Sequence, residues 1–258
     1  MHTATYYIDL LLSGITVGSL YALIAIGYTM VYGILRLINF AHGDIFMMSG
    51  FFMIYVSATL PMAVSIPVVL LMTVLLGVLI ERAAYKPLRS APRMSVMISA
   101  IGVSYLLQNL ATYITGGLAR PYPEISFLKK SFAVGSLNIK IITLLTPVLT
   151  ILLVISLVIF IKHTKTGMAM RAVSKDFDTA RLMGIKVNSV ITVTFIIGSF
   201  LAGVGSILYF TNYGQVSPTI GAMPGLKAFV AAVFGGIGSI PGAVIGAFII
   251  GICENLLK

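Results

Sequence analysis

His42 and Asp44 stand two residues apart in the stretch "LRLINFAHGDIFMMSG" (35–50), with Arg36 and Asn39 upstream and Gly43 between them. An imidazole beside a carboxyl group is the raw material of acid–base chemistry. The surrounding residues are apolar enough to sit in lipid, where a charged side chain at mid-membrane costs roughly 2.5–3.5 kcal/mol by insertion scales. Two readings stay open from the residues alone. Asn39, His42 and Asp44 line a path for something polar, or they shape a helix break, where an acidic group suits the positive end of a new helix. A membrane-embedded enzyme using His42 and Asp44 is a third reading, but no second polar cluster completes its site.

Other chemistry is limited. The Gly-x-x-x-x-Gly-Lys phosphate loop is absent, because the dipeptide Gly-Lys never occurs. Gly-x-Ser-x-Gly is also missing. His2, His42 and His163 are too scattered for a histidine zinc site, and the one cysteine, Cys253, excludes a disulfide framework. The expectation is a chain that is not an enzyme, with no metal or cofactor of its own.

The elements that must position these residues are membrane helices. Of 258 residues, 59% are hydrophobic and 9% charged, with mean hydropathy +1.06; soluble domains run nearer 25% charged. A spanning helix takes about 20 apolar residues. Candidates fall at roughly 8–34, 39–60, 62–80, 94–115, 141–161, 189–211 and 226–252. The 39–60 run carries the His and Asp and reads as broken or re-entrant. The expected fold is an all-α polytopic membrane protein with about seven spanning or re-entrant helices. Residues 1–258 form a single transmembrane domain. "GSLYALIAIGY" from Gly18 and "GSILYFTNYGQ" from Gly205 hint at an inverted repeat. The pairs Gly14/Gly18 and Gly242/Gly246 predict close helix packing within the subunit.

A net charge of +10 would suggest nucleic acid in a soluble protein. Here it reads as positive charge retained on the cytoplasmic side, with no nucleic-acid partner. The loops 81–93 and 162–186 hold ten basic residues against four in 116–140, so the first two are cytoplasmic and the third external. The external loop reads as containing a short hairpin around Gly135-Ser136. Seven spans would leave the N-terminus external and the C-terminus cytoplasmic.

The cytoplasmic segment 162–188 is long for a membrane connection. Val173, Phe177, Ala180 and Gly184 share one helical stripe, with Ser174 as N-cap and Asp176 and Asp178 in the first turn. An amphipathic helix over 174–185 lies on lipid or docks in a partner's groove.

Four stretches carry a family resemblance: "GYTMVYGILRLINFAHGDIFMMSGFF" (27–52), "ERAAYKPLR" (81–89), "TGMAMRAVSKDFDTARLMGIKVNSVITVTFIIGSFLAGVGSILY" (166–209) and "GLKAFVAAVFGGIGSIPGAVIGAFIIG" (225–251). They resemble, in order and over nearly the whole chain, permease subunits of branched-chain amino acid ABC transporters. This is the hydrophobic amino acid uptake family, and the match is to the shorter of its two permease types. The resemblance implies a multi-pass protein of the cell inner membrane that translocates branched-chain or other hydrophobic amino acids. Members of the family also carry urea and other small polar solutes.

It implies four kinds of company besides membrane lipid: a second permease subunit, homologous or identical, two cytoplasmic ATP-binding subunits that carry the ATP, and an extracytoplasmic amino-acid-binding protein. It makes the 162–188 loop the coupling loop, with Val173, Phe177, Asp178, Ala180 and Gly184 facing the ATPase. Asp178, Thr179, Ala180 and Gly184 match loosely the family's Glu-Ala-Ala-x-x-x-Gly motif. Relatives continue past "GGIGSIPGA" with a further helix, which implies about eight spans.

Overall fold

Among the described residues, five helices are long and apolar enough to cross a membrane: Tyr6–Leu35, Met62–Tyr85, Arg93–Thr115, Ile141–His163 and Val187–Tyr213. The computed structural model describes residues 2–89, 91–134 and 137–257. In chain order the helices are α1 (His2–Leu35), α2 (His42–Ser57), α3 (Met62–Ile80), α4 (Arg93–Thr115), a short α5 (Ser126–Lys129), α6 (Ile141–His163), α7 (Lys165–Lys175), α8 (Phe177–Leu182), α9 (Val187–Tyr213), α10 (Ala222–Phe234) and α11 (Ile240–Leu256). A wider π-type turn, Glu81–Tyr85, extends α3. Strands are marginal: β1 (Arg120–Pro121) pairs with β4 (Gln215–Val216), and β2 (Ser131–Val134) with β3 (Leu137–Lys140). The second pair is the expected hairpin, whose turn residues Gly135 and Ser136 lie outside the described residues.

Packing makes α1 and α9 the central helices. Tyr21 to Ile26 in α1 and Ile207, Leu208 and Phe210 in α9 are buried. By contrast α3, α4 and α6 turn Leu71, Leu75, Ile98, Tyr105, Val148 and Ile155 outward, as helices facing lipid or another subunit do.

Two segments do not cross. After Leu35, Arg36 takes a left-handed backbone (φ 52) that ends α1, and α2 restarts only at His42. Its 16 residues give about 24 Å of helix, short of the roughly 30 Å hydrocarbon core. Gly27 of α1 lies against the His42 imidazole. Hence α2 starts about 12 Å of helix above the end of α1, inside the membrane.

The run 226–252, expected as one span, is a second break. Gly236 (φ 86) and Gly238 (φ 98) occupy left-handed positions that other residues adopt at a cost. They split it into α10 and α11, which fold back on each other with Gly242 against the Gly235 carbonyl and Gly246 against Ala231. The hairpin reverses the chain. Asn255 near the end of α11 therefore lines one cavity with Asp9 and Ser13 from the start of α1. The far end of α11 thus lies on the same face as the start of α1, where seven straight spans required opposite faces.

These breaks reveal an internal two-fold pattern. The trio α1–α2–α3 and the trio α9–α10–α11 each consist of a long helix, an extended break, a short helix starting at mid-depth and a returning helix. The contacts exchange accordingly: α1 packs on α11 as α9 packs on α3, and α2 packs on α9 as α10 packs on α1. The trios run in opposite directions, as an inverted repeat does. Small residues set the distances. A side chain on Gly14 or Gly18 would meet the backbone of Ile252 or Phe248, and one on Gly251 the backbone of Gly18. The four-residue glycine spacings thus serve packing within the subunit.

Candidate functional site

Where the two breaks meet, the starts of α2 and α10 face each other. Gly43 and Gly221 touch backbone to backbone: a Cβ on Gly221 would fall well inside contact distance of the Gly43 carbonyl oxygen. Beside this crossing is a cavity of about 370 Å³ lined by Tyr28, Phe40, Gly43, Asp44, Ser104, Gln108, Gly221, Ala222, Gly225 and Phe229, among others. Asp44 is 2% exposed and accepts a hydrogen bond from Gln108 Nε2 at 3.0 Å. The same amide lies 3.2 Å from Ser104 Oγ. Asp44 sits in the first turn of α2, but no side chain caps that turn. Its carboxyl group points into the cavity, toward α4. The cavity therefore combines apolar walls, one carboxyl group and two helix N-termini, whose N–H groups carry partial positive charge. Such a mixture suits a small molecule with an apolar body and opposite charges.

The other two sequence candidates point elsewhere. His42 turns toward α1, edge-on to the Tyr28 ring with centroids 5.0 Å apart, and Gly198 of α9 also borders it. It is 1% exposed and absent from the cavity lining. Gly27 leaves the space its imidazole fills. Asn39, also 1% exposed, accepts from the Tyr85 hydroxyl at 2.8 Å, which ties the break at 36–41 to the end of α3. The acid–base pair is thus separated: Asp44 lines the cavity, His42 packs helices, and Asn39 anchors the loop.

The loop 162–188 is two helices. Asp176 breaks it with an extended backbone and caps α8, accepting from the amides of Asp178 and Thr179. The Thr179 hydroxyl, with those amides, holds its carboxyl below the usual carboxylate range. Ser174, expected as the N-cap, instead donates to the Arg171 carbonyl in the last turn of α7. At the other end the Gly184 amide bonds to Arg181 and the Ile185 amide to Ala180, a Schellman ending with Gly184 at φ 80. Val173 and Ala180 are buried within the subunit. Phe177 is half-buried, and Asp178 and Gly184 lie on the surface. Leu182 and Met183 project furthest, at 88% and 78% exposed.

Two polar clusters escaped the sequence reading. Glu81, fully buried, pairs with Arg89, which also bonds Asn188, while Thr192 donates to the second Glu81 oxygen. In the α10–α11 hairpin, Lys227 pairs with Glu254 at 2.6 Å, and the Tyr21 hydroxyl donates to Glu254 at 2.9 Å. Periodicity placed Lys227 and Glu254 at opposite ends of one span; only the hairpin brings them together. Lys227→Glu should lower membrane abundance by placing like charges together, and Lys227→Glu/Glu254→Lys should restore much of it. Quantitative immunoblotting of membranes checks this. An equally poor double variant would show that the pair does not hold the hairpin.

A bundle with broken helices meeting at mid-membrane around a small mixed-polarity cavity defines a multi-pass membrane permease. The model for the family described as branched-chain amino acid transport system / permease component matches residues 10–258, and the chain belongs to that family. It is 41% identical to the high-affinity branched-chain amino acid transport system permease protein BraD of Pseudomonas aeruginosa, over 96% of this chain and 85% of BraD. It is also 41% identical to LivH of Escherichia coli K12, a permease protein described in the same words, over 97% of this chain and 86% of that protein. A probable branched-chain amino acid transport permease LivH of Methanocaldococcus jannaschii is 29% identical, over 93% and 77% of the two chains. No solved structure matches.

Proposed function

We propose that this chain is a membrane-pathway subunit of an ABC importer for branched-chain or other aliphatic amino acids, acting as one permease unit over 1–258. ATP is bound and hydrolysed by separate cytoplasmic subunits, a second permease subunit completes the pathway, and an extracytoplasmic binding protein delivers the substrate. The observation that carries this reading is the Asp44 cavity at the crossing of α2 and α10. Asp44 meets the substrate's ammonium group, the α10 N-terminus meets its carboxylate, and Phe40 and Phe229 cover its aliphatic side chain. A neutral solute such as urea would leave the Asp44 charge without a counterpart, at a cost. Reconstituted with its partners, the protein should take up leucine in competition with isoleucine and valine and not with urea. The purified chain alone should show neither ATP hydrolysis nor active uptake. ATP-driven leucine accumulation in liposomes holding only this chain would refute the proposal.

The cytoplasmic contact is assigned to α8. Val173, Phe177 and Ala180 fasten the loop to the bundle, Leu182, Met183 and the Gly184 turn meet the ATPase, and Asp178 turns to the cavity it borders with Arg181. Leu182→Asp should therefore lower substrate-stimulated ATP hydrolysis of the complete importer by about tenfold or more. A buried apolar anchor is worth about 1.5–3 kcal/mol, and adding a charge at the interface costs further. Membrane abundance should be unchanged, because Leu182 is exposed in the isolated subunit. Full stimulation in Leu182→Asp would move the docking contact elsewhere, and loop 81–93 is the next candidate.

A further inference from the structure

A second cavity, also about 370 Å³, lies at the cytoplasmic end of the bundle, between the end of α1, the 85–93 segment, the start of α4, α8 and the start of α9. Three guanidinium groups border it: Arg89, Arg93 and Arg181. Arg89 is matched by Glu81. Among the described residues, Arg93 and Arg181 have no carboxylate within ion-pair distance. Burial lowers the Arg89 guanidinium from its ordinary value, and the neighbouring Arg181 charge adds to this against the pull of Glu81. Its Nε is buried without a hydrogen-bond partner. Positive charge is thus in excess here, and one carboxylate, Asp178, stands on the same rim.

The inner walls are apolar. Leu35, Tyr85, Val96, Val187 and Ile191 line them, and the last four are nearly or wholly buried. Leu35, Leu37 and Phe177 are the partly exposed apolar residues of the lining. A volume of about 370 Å³ fits a compact molecule better than a two-chain lipid, whose acyl chains need far more room. We propose that this cavity is a second, cytoplasmic site for an aliphatic amino acid: Arg93 and Arg181 take its carboxylate, Asp178 its ammonium, and the partly exposed Leu35, Leu37 and Phe177 its side chain. Asp178 and Arg181 belong to α8, while Arg93 begins α4. An occupied site bridges the docking helix to the bundle, and imported product restrains the element through which ATP hydrolysis drives the pathway. This rests on the amino acid reading proposed for the chain.

The test uses the complete importer in nanodiscs, where both faces are accessible. ATP hydrolysis is measured with leucine-loaded binding protein held constant while free leucine is raised into the millimolar range. The expected result is stimulation by the loaded binding protein, followed by a leucine-dependent fall. Arg93→Gln and, separately, Arg181→Gln should each raise the half-inhibitory leucine concentration by about tenfold, each compared with its own uninhibited rate. 4-Methylpentanoate, which lacks the ammonium group, should inhibit more weakly than leucine. Absent stimulation overturns the amino acid importer reading and this site with it. Stimulation with no leucine-dependent fall, or an unchanged half-inhibitory concentration in both variants, overturns the site alone. Equal inhibition by acetate would overturn it as well.

Discussion

Asp44→Leu should reach the membrane at near-normal abundance and lose one to two orders of magnitude in uptake. Asp44 is held in a cavity at the crossing of two helix starts, with one hydrogen bond from Gln108. A charged hydrogen bond contributes about 1.5–3 kcal/mol, and 1.4 kcal/mol is a factor of ten. Insertion should not suffer, because replacing a buried carboxyl group with leucine removes a cost in lipid. Asp44→Asn separates recognition from architecture. Its side-chain oxygen still accepts from Gln108, so the α2–α4 contact survives while the charge opposite the substrate's ammonium is lost. If Asp44 recognises substrate, uptake by the Asp44→Asn variant falls nearly as far as uptake by Asp44→Leu, with abundance unchanged. Wild-type uptake by Asp44→Asn would confine Asp44 to holding α4 in place.

Gly221→Val should remove transport by a different route. A Cβ at this position runs into the Gly43 carbonyl oxygen and lies 2.9 Å from its carbonyl carbon. These are backbone atoms, which cannot rotate away as a flexible side chain can. Accommodating valine forces α2 and α10 apart at the point where both begin. Overpacking against side chains typically costs about 1–3 kcal/mol, and a rigid backbone contact belongs at or above the top of that range. Uptake should fall below detection, and folded protein in the membrane should fall with it. Gly214→Ala is the useful contrast. Gly214 has a positive φ of 77 but open space around it, so only backbone strain of about 1–2 kcal/mol is at stake. If Gly221→Val transported normally, the glycine crossing would not fix the cavity.

The loop 162–188 shows how far periodicity reaches and where it stops. Helical spacing put Val173, Phe177, Ala180 and Gly184 on one stripe; Val173 and Ala180 are buried, Phe177 is half-buried and Gly184 exposed, and the chain breaks within the stripe at Asp176. Asp176 offers a side-chain oxygen two and three residues ahead, a local capping signal as good as that of Ser174. Which of them wins depends on α7 packing against α1 and α6, a long-range fact. The exposure of Leu182 and Met183 was not legible, because periodicity marks the buried face of a surface helix and says nothing about how far neighbouring apolar residues project.

Local properties of the chain were enough for the membrane class and the all-α fold, for the expectation that the basic loops are cytoplasmic, and for singling out the stretch around Asp44. Those follow from hydropathy over about 20 residues, charge between the runs, and a polar group where lipid makes it costly. The family resemblance rested on residues in order along the chain. Folding in three dimensions was needed to make 226–252 a hairpin, to bring Lys227 to Glu254, to pack His42 on α1 and Asp44 beside α4, and to gather Arg181 with Arg89 and Arg93 around one cavity. Each of these depends on where residues distant in sequence come to lie. In this bundle that is set by glycine backbones meeting across helices, Gly43 on Gly221 and Gly18 on Gly251, and a glycine's letter does not say which distant backbone it lets in.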